Sequence, residues 1–185
     1  MKCTHLIITG LVFLSIAVRP AAQPSAGGGQ AKSLYKATYT IPPAAMTYQE
    51  YCDRLMEIHD TLNIYHEAMF NDFKTAYAAK PRTWGIIAKY RKYTQDYCEF
   101  NLFYLYKLPQ VGDAKKFESS LSDVVTDNWD MAGICQEFEN LKPETSENVL
   151  AEIFERLVAK KNKWEIDLAV FYANRDLYKY KYGLK

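Results

Sequence analysis

The chain has 185 residues, with 23 Lys and Arg against 22 Asp and Glu, so its formal net charge at pH 7 is +1. This balance argues against nucleic-acid binding, because Lys and Arg contacts to phosphates supply most of the affinity of such proteins. Aromatic residues are abundant, with 15 Tyr, 9 Phe and 3 Trp, whereas the scarcity of Gly and Pro after residue 45 favours long helices over a strand-rich fold.

Residues 1–23 have the layout of a secretory signal peptide. Lys2 precedes an apolar run over residues 6–18, and small residues follow Arg19. The run has 13 residues, whereas a membrane-spanning helix needs about 20, so we predict cleavage within residues 22–26 rather than anchoring. Without Lys2 and Arg19 the net charge is −1. We therefore expect an extracytoplasmic protein, periplasmic, secreted or on the surface, that is soluble or peripheral to a membrane.

Residues 24–46 are predicted to form a flexible arm. They contain the Gly27-Gly28-Gly29 run and Pro42-Pro43, and they show no apolar period. Residues 47–185 then remain for one domain, which is long enough to bury a core.

Hydrophobic periodicity predicts four amphipathic helices in this domain. The first starts at a capping box of Thr47 and Glu50 and ends near Ala79, because Pro81 disfavours helical geometry just before it. Its predicted inward residues are Tyr48, Tyr51, Cys52, Leu55, Ile58, His59, Leu62, Tyr65, His66, Met69, Phe73 and Ala76.

The second predicted helix runs from Trp84, with Thr83 as its cap, to Lys107. Residues 100–108 are apolar nearly all round, so we expect them to be the most enclosed segment. The predicted inward stripe is Ile86, Tyr90, Tyr93, Tyr97, Phe100 and Tyr104.

The third predicted helix has Asp113 as its N-cap and ends before Pro143. Its predicted seam is Phe117, Leu121, Val124, Asn128, Met131, Cys135 and Phe138.

The fourth predicted helix begins near residues 144–146 and stops at Gly183. Its predicted inward residues are Leu150, Ile153, Leu157, Trp164, Leu168, Phe171 and Tyr178. Since all the connections are short, the fold class is all-α, an elongated antiparallel up-down four-helix bundle.

Three cysteines remain after cleavage, Cys52, Cys98 and Cys135. An exported chain permits disulfides, but all three lie on apolar faces, so we expect buried free thiols. The alternative is one bridge between Cys52 and Cys98, which would leave the third thiol free.

His59 and His66 are the sharpest candidates for chemistry. They lie seven residues apart on one line of the first helix, about 10.5 Å along its axis, which is too far for easy binding of one metal ion. We therefore favour hydrogen-bonded imidazoles at the edge of the seam, with a metal site or a haem site as the alternative. No Glu-x-x-His, Cys-x-x-Cys-His or Gly-x-Ser-x-Gly motif occurs in the sequence, so we predict no cofactor and no catalytic residues.

The tyrosines of the second helix have two interpretations. Tyr90, Tyr93, Tyr97 and Tyr104 can be residues at the edge of the core whose hydroxyls reach water, which we favour. Alternatively, they line a groove for a sugar or a small apolar ligand.

Residues 104–183 resemble a loosely defined family of small exported or surface proteins from spirochaetes and Bacteroidetes. The residues that carry the resemblance are Leu108-Pro109-Gln110-Val111-Gly112-Asp113, the helix led by Phe117, and Tyr182-Gly183. The resemblance implies a signal-bearing helical bundle of unassigned function, and it assigns no functional residue. The first helix, with its two histidines, lies outside the match.

We therefore predict an exported, non-enzymatic binding or interaction module for a protein, a glycan or a small apolar ligand. Two alternatives remain from the sequence. One is a bundle that binds a metal or haem through His59 and His66, and the other is a structural component of a cell-surface assembly.

Overall fold

The computed structural model describes residues 45–185, except residues 80, 83 and 143 and the side chains of residues 86, 89 and 90. The predicted signal peptide, its cleavage range and the arm up to residue 44 lie outside this part of the chain. The described residues form four α-helices and no strand, which confirms the all-α class. The helices are α1 (Tyr48–Ala78), α2 (Gly85–Leu105), α3 (Lys115–Glu139) and α4 (Glu147–Tyr182).

The predicted capping box at the start of α1 is confirmed. The Thr47 hydroxyl accepts from the Glu50 N–H at 3.2 Å, and the Glu50 carboxylate accepts from the Thr47 N–H at 2.8 Å. Each side chain thereby satisfies a backbone donor that the first turn of a helix leaves unpaired.

The predicted stop of α4 is also confirmed. Gly183 adopts a left-handed conformation with φ of 64°, which costs glycine little because it has no Cβ. At the other end Ser146 takes the N-cap position in extended backbone, so α4 begins at Glu147.

The predicted inward faces of α1, α3 and α4 form one core. Every predicted member is buried or partly buried except Tyr48, which is 42% exposed. The largest fully buried side chains include Tyr51, Phe117, Phe138 and Phe171.

The predicted inward stripe of α2 is confirmed only in part. Tyr104 is buried, and Tyr93 and Tyr97 are partly buried, while the side chains of Ile86 and Tyr90 lie outside the described residues. The buried positions of α2 include Ile87, Thr94, Cys98 and Asn101, whereas Phe100 is 42% exposed. At one of these polar core positions, Asn101 donates from Nδ2 to the Tyr97 carbonyl at 2.7 Å, whereas its buried Oδ1 has no hydrogen-bond partner among the described residues. Residues 100–108 are correspondingly not the most enclosed segment.

The start of α3 also differs from the prediction. Ala114 rather than Asp113 is the N-cap, and its carbonyl accepts from the Glu118 N–H at 2.9 Å. Asp113 instead gives its N–H to the Tyr182 hydroxyl at 2.7 Å. This tertiary contact places Asp113 in the connection rather than in the cap.

Successive turns of α1 contact both α3 and α4. Near its start, Tyr51 donates to Glu118 at 2.5 Å, and its ring lies 6.0 Å from that of Tyr178. Near its end, the Phe73 ring lies 5.0 Å from that of Phe138 and 6.2 Å from that of Phe154. The α3 backbone packs closely against α2 and α4, whereas α1 and α4 meet mainly through side-chain rings.

No helix in the described region combines the length and the apolar composition that a membrane-spanning segment requires.

Candidate functional site

A layer of buried polar and aromatic side chains, hereafter the His66 layer, lies where α1 packs against α3 and α4. His66 is at its centre. Nδ1 of His66 lies 2.8 Å from Oδ1 of Asn128 on α3. An amide oxygen can only accept, so Nδ1 carries the proton and donates it. The imidazole also stacks on the indole of Trp164 of α4, with ring centroids 3.9 Å apart. His66 therefore links three helices.

Burial controls the charge of this histidine. It lowers the pKa of His66 to about 4, although the hydrogen bond to Asn128 acts in the opposite direction. The ring is only 4% exposed. His66 is therefore neutral at pH 7 and suits a packed aromatic layer rather than proton transfer at that pH.

His59 lies two turns earlier on the same line of α1. Its Nδ1 is 3.0 Å from a carboxylate oxygen of Asp60, and its Nε2 is 3.1 Å from the hydroxyl of Tyr172 on α4. The carboxylate can only accept, so Nδ1 donates to it, and the neutral Nε2 accepts from the hydroxyl. The ring also stacks on Phe171 with centroids 5.1 Å apart. Burial lowers the pKa of His59 as well.

These bonds bear on the alternative of a metal or haem site. A histidine ligand must offer a free nitrogen lone pair, whereas both ring nitrogens of His59 already have partners. In the described residues, no group of three or more His, Cys, Asp or Glu side chains is placed to hold a metal ion.

A charged network lies at the same level between α3 and α4. The buried carboxylate of Asp127 lies 3.1 Å from Nζ of Lys160 and 3.0 Å from Nζ of Lys163. Lys160 also pairs with Asp130 at 2.6 Å, and Lys163 pairs with Asp167. Burial raises the pKa of the Asp127 carboxyl, and the hydrogen bond from Lys163 lowers it. The network links α3 to α4 next to the His66 layer.

In the described part of the chain, Cys52, Cys98 and Cys135 are buried and free, as predicted. Burial raises the pKa of all three thiols, that of Cys135 to about 12. Because the thiolate is the nucleophilic form, these thiols are poor candidates for catalysis at neutral pH.

The structure brings together two of the tyrosines singled out on α2. The rings of Tyr93 and Tyr97 lie 6.2 Å and 5.4 Å from that of Tyr65 on α1, and the Tyr97 hydroxyl donates to an α1 carbonyl at 3.2 Å. Tyr104 is buried further along the helix. The side chain of Tyr90 lies outside the described residues.

The connection over residues 108–113 and the end of α4 at Tyr182 contact each other. Tyr182 lies against Gly112, and its hydroxyl accepts from the Asp113 N–H at 2.7 Å. One turn earlier, the Tyr178 hydroxyl donates to the Val111 carbonyl at 3.0 Å. Gly112 has φ of 65°, a conformation that favours glycine. The end of α4 thus fixes the connection between α2 and α3.

Two open cavities adjoin the connections between helices. One, of about 470 Å³, is lined by residues that include Arg82, Trp84 and Glu147, and Arg82 pairs with Glu147 at 2.8 Å. The other, of about 480 Å³, is lined by residues 45–48 and 109–112. Neither is lined by the histidines or the α2 tyrosines singled out from the sequence.

The outer side of α4 carries a second apolar line, hereafter the outer stripe. Its members, at alternating spacings of four and three residues, are Ile166, Val170, Ala173, Leu177 and Tyr180. All five are exposed; Ile166 and Leu177 are each 65% exposed and Tyr180 is 89% exposed. Single exposed apolar residues are ordinary on protein surfaces, whereas a continuous stripe is typical of an interaction site.

Sequence reasoning assigned only one apolar face to α4 and missed the outer stripe. Its signal was present, since a line with spacings of four, three, four and three runs from Ile166 to Tyr180. The stripe was overlooked because the inward line through Trp164 and Phe171 already accounts for the amphipathic pattern expected of one helix.

Comparison with known proteins found no matching family model, no matching curated protein and no matching solved structure.

Proposed function

We propose that the protein is an exported, non-enzymatic interaction module, built as an elongated up-down four-helix bundle, that binds its partner through the outer stripe of α4. The outer stripe is the single observation that carries this proposal. It extends over 15 residues, or about 21 Å of helix from Ile166 to Tyr180, and it presents apolar side chains to solvent on the outside of the bundle.

The contacts of α1 support the up-down order of the helices. From the start of α1 to its end, its partners on α3 run from Glu118 through Asn128 to Phe138. Its partners on α4 run the other way, from Tyr178 through Trp164 to Phe154. This order fits α3 running with α1 and α4 running against it.

The state of the nucleophilic side chains supports a role without catalysis. Both histidines of α1 are hydrogen-bonded within the core, and the three thiols are buried with raised pKa values. Export rests on the layout of residues 1–26.

The experiment compares Val170→Cys with Ile64→Cys, each made in the full-length chain and expressed in the cells that naturally produce it. The two positions are matched, since both are β-branched residues on helices, 47% and 42% exposed respectively. A maleimide that cannot cross membranes is added to the intact culture, and the rate at which each thiol is labelled is measured. Within the described residues, Cys52, Cys98 and Cys135 are buried and give a low background.

We expect rapid labelling of Ile64→Cys without lysis, because the protein is exported, and slow labelling of Val170→Cys, because its partner covers the outer stripe. Equal labelling rates for the two variants would contradict the interaction surface. Labelling of Ile64→Cys only after lysis would contradict export.

A further inference from the structure

Resting on the proposed function, we infer that the partner of the outer stripe is a second copy of this chain, packed with its α4 parallel to the first. The observation behind this inference is the register of the stripe together with the charges that flank it.

The spacing of the stripe matches that of a two-stranded coiled-coil seam. Assigning Ile166 to heptad position d makes Val170 and Leu177 positions a, and Ala173 and Tyr180 positions d. An apolar line with this 3.5-residue period stays in contact with a second helix along its length. It is also self-complementary across a two-fold axis, which is the symmetry of most soluble homodimers.

The flanking charges favour the parallel orientation. Asp176 occupies position g and Lys181 occupies position e of the next heptad, five residues later. In a parallel pair, position g of one helix faces the following e position of the other, so Asp176 faces Lys181 of the second copy. Because the dimer has a two-fold axis, the same ion pair forms twice, once on each side of the interface. In an antiparallel pair g faces g and e faces e, which does not bring these opposite charges together.

Both charged groups are accessible for this pairing. The side chain of Asp176 is 64% exposed and contacts the guanidinium of Arg175 at 2.7 Å, and that of Lys181 is 54% exposed and contacts Asp113 at 3.1 Å. Exposed ion pairs are weak and are exchanged easily for other partners.

The bundle prepares the stripe for association. Phe171 and Tyr178, on the opposite side of the same turns, are buried and hold α4 in place, so the helix need not be ordered on binding. The stripe covers about two heptads, which is small for a stable interface, so we expect a weak and reversible dimer.

The test is sedimentation equilibrium of the mature secreted chain over a range of concentrations. The wild type is expected to form a dimer, and Leu177→Gln is expected to be monomeric at the same concentrations. Ile64→Gln replaces an exposed apolar residue on α1, and this variant is expected to behave as the wild type. Helical content and thermal unfolding of each variant confirm that it is folded.

A charge exchange tests the orientation. Asp176→Lys and Lys181→Asp each set like charges against each other in a homodimer, so each alone should weaken self-association by about tenfold or more. An equal mixture of the two variants restores both attractive pairs and should form a heterodimer about as strong as the wild-type dimer. Weak association in the mixture would overturn the parallel arrangement.

Disulfide trapping provides a second test of the orientation. Leu177→Cys should form a dimer on mild oxidation, because position 177 meets its own equivalent in a parallel pair. In an antiparallel pair centred on Ala173, the two 177 positions are about 12 Å apart along the axis. Crosslinking of Ala173→Cys but not of Leu177→Cys would therefore contradict the inference.

The result for the inference is separable from the result for the proposed function. A wild-type chain that stays monomeric at all concentrations would overturn the inference that the partner is a second copy. The same result would be obtained if the N-terminal arm of the same chain covered the stripe. If Val170→Cys were still protected in the culture, the stripe would remain an interaction surface with a different occupant.

Discussion

His66 donates a hydrogen bond from Nδ1 to Oδ1 of Asn128 over 2.8 Å, and both residues are buried. A neutral histidine is thereby fixed inside the core, between α1 and α3. Because both residues are buried, the protonation of His66 and the presence of its acceptor Asn128 both affect the free energy of unfolding.

The first prediction concerns the pH dependence of unfolding. Burial lowers the pKa of His66 to about 4 in the folded state, against an unfolded value near 6.5. Between these two values the unfolded chain binds a proton that the folded chain does not. The free energy of unfolding should therefore fall as the pH falls, and His66 should account for about 2 to 3 kcal/mol of the loss by about pH 4.5.

Urea unfolding of the wild type and of His66→Gln, at about pH 7.5 and pH 4.5, measures this loss. His66→Gln should be less stable at neutral pH and should lose less stability on acidification than the wild type. An identical loss in both proteins would rule out His66 as its source.

The second prediction concerns the partner of the histidine. Asn128→Ala leaves the buried Nδ1–H of His66 without an acceptor, and an unsatisfied buried donor costs about 1 to 3 kcal/mol. Urea unfolding at neutral pH measures the loss. Asn162→Ala, at an exposed position of α4, is the control and should change stability by less than about 0.5 kcal/mol. Similar losses in the two variants would argue against a structural role for the pair.

The third prediction concerns the connection between α2 and α3. A Cβ at Gly112 would collide with the phenol of Tyr182, and the backbone there has φ of 65°. Gly112→Ala should therefore lower the free energy of unfolding by at least about 1 to 2 kcal/mol.

Gly133→Ala is the matched control for this prediction. Gly133 lies within α3, where a Cβ meets no other atom within 4 Å. Alanine is the better helix former, so this variant should be more stable by about 0.5 to 1 kcal/mol. Opposite signs for the two variants are expected, and destabilisation of equal size would contradict the account.

The fourth prediction concerns the start of α1. Thr47→Ala removes one half of the capping box and should cost about 1 kcal/mol in thermal or urea unfolding. Thr126→Ala, at an exposed position within α3, should be neutral or slightly stabilising, because alanine favours helix interiors. A neutral Thr47→Ala would show that the cap adds nothing to the stability of the bundle.

The inward faces of α1, α3 and α4 were predictable because most of their core positions are apolar. Spacing alone indicates the buried face of α3, through Phe117, Leu121 and Phe138. It likewise indicates that of α4, through Leu157 and Phe171. The buried face of α2 was predicted only in part, because the polar residues Thr94 and Asn101 occupy core positions while the apolar Phe100 is 42% exposed. A local hydrogen bond to the Tyr97 carbonyl satisfies the Nδ2 group of Asn101 but not its Oδ1, and neither fact follows from the apolar pattern of the sequence.

Only part of the candidate site could be predicted from the sequence. The spacing of His59 and His66 placed both rings on one face of α1, but their partners Asn128 and Tyr172 come from other helices. Such contacts depend on the packing of the helices and not on any local pattern. The outer stripe, in contrast, could have been recognised from its heptad spacing.

The central claim is that a partner covers the outer stripe of the exported protein. It is tested most directly by the ratio of the labelling rates of Val170→Cys and Ile64→Cys with an impermeant maleimide in the intact culture. The account predicts that Val170→Cys is labelled more slowly than Ile64→Cys, and each tenfold difference in rate corresponds to about 1.4 kcal/mol of protection. Equal rates, after both purified variants have been shown to be folded, would contradict it.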